Sequence, residues 1–129
     1  MTLPIRTLFL VCTVISSASA FACPPDMEGS VKMAVTYKPG KNWSDFSKHV
    51  ADHLKFLSDQ MKAGKIQHAG PFLKGDDVDG GLAIYNLDDE KTVEALVQQD
   101  AVVKESVVTT QIKRWLQCSL KKTEESSEE

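Results

Sequence analysis

Apolar and polar residues alternate early in the chain. Val31, Met33, Val35 and Tyr37 point one way and Lys32, Ala34 and Thr36 the other, until Pro39-Gly40 stops the run. A period of two predicts a strand with one face on a core. The period then lengthens. After a cap at Ser44-Asp45, Phe46, Val50, Leu54, Leu57 and Met61 recur at helical spacing up to Gly64, with Phe56 off the main stripe. These positions share one helical face, so a long amphipathic helix follows the strand.

Lys65 to Phe72 reads as a second strand closed by Gly70-Pro71, and Gly81 to Leu87 as a third, with Lys74 to Gly80 as the polar hairpin connection. Asp88 is placed to cap a second helix carrying Val93, Leu96 and Val97, which ends at Gln98-Gln99-Asp100. A helical turn around Ala101 to Glu105 precedes Val107 to Leu116, a β-branched run that predicts a fourth strand. The order βαββαβ belongs to the α+β class and to ferredoxin-like folds, with an antiparallel four-stranded sheet and both helices on one face. Strands at 82–87 and 107–112 are apolar on both parities, so the uncovered face is expected to be apolar. Pairing of two such faces in a homodimer would cover it.

The first 22 residues change the expected location. Arg6, the apolar stretch Leu8 to Ile15 and small residues ending at Ala20-Phe21-Ala22 make the three parts of a secretory leader, too short and too interrupted for a membrane span. Removal would leave 107 residues, one domain, in the periplasm or outside the cell. The mature domain is expected over 23–118, followed by an acidic tail over 119–129 that ends in KKTEESSEE and has little to bury. Against 18 acidic residues stand 15 basic ones, a net charge of −3. That balance argues against nucleic acid or an anionic membrane as a partner. A membrane association would arise only if Cys23 were lipidated, since Ala20-Phe21-Ala22-Cys23 weakly matches a lipobox.

Cys12 lies in the leader, leaving Cys23 and Cys118 as an even pair in an exported domain. In a βαββαβ sheet the first and fourth strands are antiparallel neighbours. Cys23 precedes the first and Cys118 follows the last, so topology places both at one sheet edge and predicts a disulfide.

An ordered series of short segments carries a family resemblance: His53-Leu54-Lys55-Phe56-Leu57, Gly64-Lys65-Ile66, Ala69-Gly70-Pro71-Phe72, Gly80-Gly81-Leu82-Ala83-Ile84, and Asp100-Ala101-Val102-Val103-Lys104 leading to Ile112 and Trp115. From about Val31 to Trp115 the chain resembles the YciI-like (YCII-related) family. The resemblance implies a dimeric α+β barrel and an active site formed by a first-helix histidine and an aspartate, here His53 and Asp100. It also implies small-molecule chemistry, which in some members belongs to aromatic-compound degradation. Ala101-Val102 stands where the family pattern has Pro-Phe.

His53 falls between Val50 and Leu57 on the helical stripe, where a neighbouring carboxylate would fix its tautomer and let it serve as general acid and base. Alanine at position 53 is expected to abolish any activity while leaving the fold largely intact, because helix propensity favours alanine and the lost group is polar. His49 and His53 have the spacing of two metal ligands on one helical face, with His68 as a conceivable third, but Val50 stands where a zinc-protease helix needs glutamate, and no cysteine or carboxylate cluster completes a set. Asp77-Val78-Asp79-Gly80 departs from a calcium loop at Gly75 and Asn86 and reads as a polar hairpin tip. Trp43 and Trp115 read as partly buried packing residues near element ends, although a ligand pocket could use either face. Two functions remain: a cofactor-independent enzyme acting on a cyclic small molecule through His53 and Asp100, or a binding or stress-related module in which that pair is structural. A histidine ring open to a cleft and with a perturbed pKa favours the first, and a fully enclosed one the second.

Overall fold

The computed structural model describes residues 21–122. The leader lies almost wholly outside the described residues, as does the acidic end from position 123. Among the described residues the chain runs β1 (Met27–Pro39), a 3-10 turn (Trp43–Asp45), α1 (Phe46–Lys62), β2 (Ile66–Lys74), β3 (Asp77–Tyr85), α2 (Glu90–Val97), α3 (Ala101–Lys104) and β4 (Val108–Leu120). The strands form one antiparallel sheet in the order β2-β3-β1-β4, the ferredoxin-like α+β arrangement that the element order predicts.

Register decides which side chains meet. Tyr85, Ala83 and Gly81 lie opposite Met33, Val35 and Tyr37, and Ile112 lies opposite Val35. Opposed residues share a face of the sheet, so Met33, Val35, Tyr37, Ala83 and Tyr85 form the inner face. Against it pack Val93 and Val97 of α2 and Val102 of α3, all fully buried. The opposite face is more polar than the sequence suggests. β4 alternates cleanly, with Val108 and Ile112 inward and Thr109, Gln111, Lys113 and Trp115 outward. Only β3 keeps apolar residues on both parities, through half-buried Leu82 and buried Ile84, which adjoin Ala34 on the open face, where Trp115 of β4 is exposed.

β1 and β4 pair along their full length, from Met27 opposite Leu120 to Pro39 opposite Val108, whereas β3 joins β1 only from Met33 to Tyr37. Past Met33 the two therefore continue as a two-stranded ribbon. β1 starts four residues before the alternation at Val31, because β4 supplies hydrogen-bond partners whatever the side chains are. β4 likewise takes in Ser119 and Leu120, which the sequence reading gave to the tail. The Cys23–Cys118 disulfide closes this end, with Cα atoms 5.7 Å apart. A sulfur so engaged is not free for lipidation. Gly29 lies opposite Cys118, and a Cβ there would stand 2.9 Å from the Cys23 sulfur.

Three local expectations are corrected. Gly70-Pro71 lies inside β2 rather than at its end; β2 is an edge strand, where a missing N–H is tolerated, and a register irregularity follows between Pro71 and Leu73. The hairpin connection shrinks to Gly75-Asp76, flanked by the pair Lys74 and Asp77, with Gly75 at φ 61°. The helix caps also differ. Asp45 makes no cap hydrogen bond and instead pairs with Lys48, and α2 begins after Asp89 rather than Asp88.

Candidate active site

α1 carries a regular apolar stripe, yet it has no buried residue. The cause is the sheet beneath it. Ala69 of β2 lies opposite Ala83 of β3, and Gly81 lies between Pro71 and Tyr37. Residues this small leave space that the helix cannot close, and a cavity of about 470 Å³ separates α1 from the sheet. Phe46, Val50, Leu54, Leu57 and Met61 line it, and of these Phe46 and Leu57 also pack against the edge of the core. Leu54 and Met61 remain 58% and 39% exposed at its mouth.

His53 lines the same cleft, with its side chain 15% exposed. Its Nδ1 lies 2.6 Å from Oδ2 of Asp100, whose side chain is fully buried. Asp100 reaches this position from the short turn between α2 and α3. Its backbone N–H donates to the Val97 carbonyl, and its other carboxylate oxygen accepts the Val102 N–H at 3.3 Å as the N-cap of α3. A carboxylate can only accept, so Nδ1 carries the proton and Nε2 is the ring nitrogen left for a ligand. A buried carboxylate holding one imidazole nitrogen is the arrangement that orients a general base and stabilises the imidazolium it becomes.

Tyr37 completes the group. Its ring meets His53 edge to face, with centroids 5.7 Å apart and planes at 68°. Its hydroxyl is buried beside that of Tyr85, and the two miss hydrogen-bond geometry. Burial pushes the Tyr37 phenol well above its ordinary range, with Tyr85 and the Asp100 carboxylate adding to the effect. Burial also pushes Tyr85 up to about 12, Tyr37 opposing the shift and Asp100 reinforcing it. Both phenols therefore stay neutral wherever the protein is ordinarily folded. From the sequence, Tyr37 is recognisable only as a strand residue. Its inward parity on β1, opposite a glycine, was the available signal.

The YCII-related domain model matches residues 31–116. The chain belongs to the YCII-related family. Among solved structures, this YCII-related domain is similar to the 5-chloro-2-hydroxyhydroquinone dehydrochlorinase TftG of Burkholderia phenoliruptrix AC1100, in complex with 2,5-dihydroxybenzoquinone. The TM-score is 0.54 at 23% identity, covering 64% of this chain and 92% of that one, a likeness of fold. No curated protein matches the chain.

The other candidate residues of the YCII-related domain are dispersed. Trp43 stacks on Phe46, with centroids 4.8 Å apart and planes at 26°, and both line the cleft, so Trp43 is a wall of the site rather than mere packing. Trp115 is exposed on the open face. His68, opposite Ile84, faces that side too, away from His49 and His53 on α1. Among the described residues, no group of three or more His, Cys, Asp or Glu side chains is placed to hold a metal ion. Asp77 to Gly80 is not a hairpin tip but the start of β3, and Val78 lines the cleft.

Proposed function

We propose that this YCII-related domain is an exported small-molecule enzyme in which His53 and Asp100 move a proton on a cyclic or aromatic substrate without a cofactor. The hydrogen bond between His53 and the fully buried Asp100, set in the wall of an apolar cleft, carries the reading. The cleft holds the substrate away from bulk water. His53 Nε2 takes a proton from an acidic C–H or O–H of the bound ring, Asp100 stabilises the imidazolium, and the same nitrogen returns the proton to the rearranged product or to its leaving group. That a structural neighbour is a dehydrochlorinase holding a dihydroxybenzoquinone supports this class of chemistry. The leader and the Cys23–Cys118 disulfide support the exported location.

The decisive variant is His53→Asn. Its amide keeps a donor near the position of Nδ1, so Asp100 stays paired, while Nε2 is lost. Proton exchange into deuterated water, followed by NMR over a panel of cyclic ketones, enols and hydroxyquinones, should be catalysed by the native protein and be at least a hundredfold slower in this variant. Equal exchange rates, or exchange in neither, would leave a binding module with a structural His-Asp tie.

The proposal includes a homodimer through the open sheet face, centred on Ala34, Leu82 and Ile84. Sedimentation equilibrium at micromolar concentration should return twice the monomer mass. A stable monomer refutes this part.

A further inference from the structure

We infer that the cleft takes a ring bearing an extended apolar tail, rather than a compact single ring. This rests on the reading of His53 as the proton-transfer group and adds what lies on either side of it.

Size comes first. A cavity of about 150 Å³ is enough for benzene, whereas the cleft measures about 470 Å³. A lone ring would leave most of it unfilled, and an unfilled apolar cleft forfeits the contacts that make binding favourable. Shape comes next. The lining follows α1 from Phe46 to Met61, about 22 Å at the rise of an α-helix. His53 sits near the middle.

The two arms differ in chemistry. On the N-terminal side stands the Trp43–Phe46 stack, a flat wall suited to a ring. On the C-terminal side stand Leu54, Leu57 and Met61, branched or flexible side chains suited to an aliphatic chain. Leu54 and Met61 are also exposed, so the tail end is open to solvent and admits chains of differing length. A second copy of the protein would cover the same rim, but it would account neither for the floor of Ala69, Gly81 and Ala83 nor for a histidine held in mid-groove by a buried carboxylate.

The test is a homologous series of 4-alkylphenols, from phenol to 4-octylphenol, titrated below their aggregation limits into the oxidised protein by calorimetry. The phenol hydroxyl reports the His53 end and the chain reports the groove. Affinity should rise up to about fourfold per methylene until the groove is filled, at one ligand per chain. Leu54→Gln and Met61→Gln, at exposed positions that the fold tolerates, should flatten that slope, and the doubly substituted protein should lose at least tenfold in affinity for the octyl compound. An affinity independent of chain length, or a slope untouched by both substitutions, overturns the inference while leaving the proton-transfer reading intact. No binding by any member also overturns it, as does a dimer that falls apart in the two variants. Conversely, a steep slope combined with undiminished proton exchange in His53→Asn would sink the acid-base reading and leave the groove assignment standing.

Discussion

His53 Nδ1 and Asp100 Oδ2 lie 2.6 Å apart, and the fully buried carboxylate has besides this only the Val102 N–H on its other oxygen. Removing the imidazole therefore acts on the fold as well as on the chemistry. His53→Ala should lower stability by about 3 kcal/mol, because it leaves a buried charge unpaired. Helix propensity, on which a largely intact fold is expected, takes no account of this partner on another element. His53→Asn should recover most of the loss. Urea unfolding of the two variants tests this, and equal midpoints would contradict the pairing.

Alkaline pH should expose the second buried pair. An unfolded tyrosine ionises near pH 10, whereas Tyr85 is raised to about 12 and Tyr37 further. Above about pH 10 the unfolded chain sheds protons that the folded one keeps. Their contribution is complete below that pH and is lost as pH climbs toward 12 and beyond, by up to about 1.4 kcal/mol per unit for each group. Unfolding midpoints measured from pH 9 to 11.5 should fall more steeply in the native protein than in Tyr85→Phe. Parallel curves would count against the shift.

Ser106 has φ 55°, a left-handed conformation unfavourable for a residue with a Cβ. The Asn42 N–H donates to its carbonyl and fixes the turn into β4. Ser106→Gly should relieve strain of about 1 to 2 kcal/mol against the larger chain entropy of glycine, a net gain of roughly 0.5 kcal/mol. The expected readout is a small rise in denaturant midpoint with unchanged slope. A fall would show that the serine side chain does more than occupy the turn.

The disulfide spans a sequence separation of 95. Replacing Cys23 and Cys118 together by serine should cost about 2 to 4 kcal/mol, below the value near 4.7 for an unconstrained loop of that size, because the β1–β4 ribbon already holds the ends. Reductant should lower the melting temperature of the native protein and leave that of the double variant unchanged. A native protein indifferent to reductant would mean that the crosslink adds nothing to the ribbon.

The element order, the strand pairing and the Cys23–Cys118 proximity were legible because they follow from local periodicity and one topological rule. The site was legible in part. His53 stands out by resemblance and by position on the stripe and Asp100 by resemblance alone, and their contact depends on a turn between α2 and α3 whose shape no periodicity records. The cleft was hidden for a different reason. The stripe on α1 looks the same whether or not it is buried, and what leaves it open is the smallness of Ala69, Gly81 and Ala83 on two other strands. Tyr37 was read by parity alone, because its neighbours His53, Tyr85 and Asp100 come from three separate segments.

With Cα atoms of Cys23 and Cys118 only 5.7 Å apart, the backbone of the domain is nearly a closed ring. Its natural opening is a matter of convenience rather than architecture. A short linker across that gap, with new termini cut at Gly75-Asp76, would produce a circular permutant that keeps every strand pairing. For the same reason the domain is suited to insertion in a surface loop of a host protein, entering and leaving at one point while the cleft beneath α1 stays open.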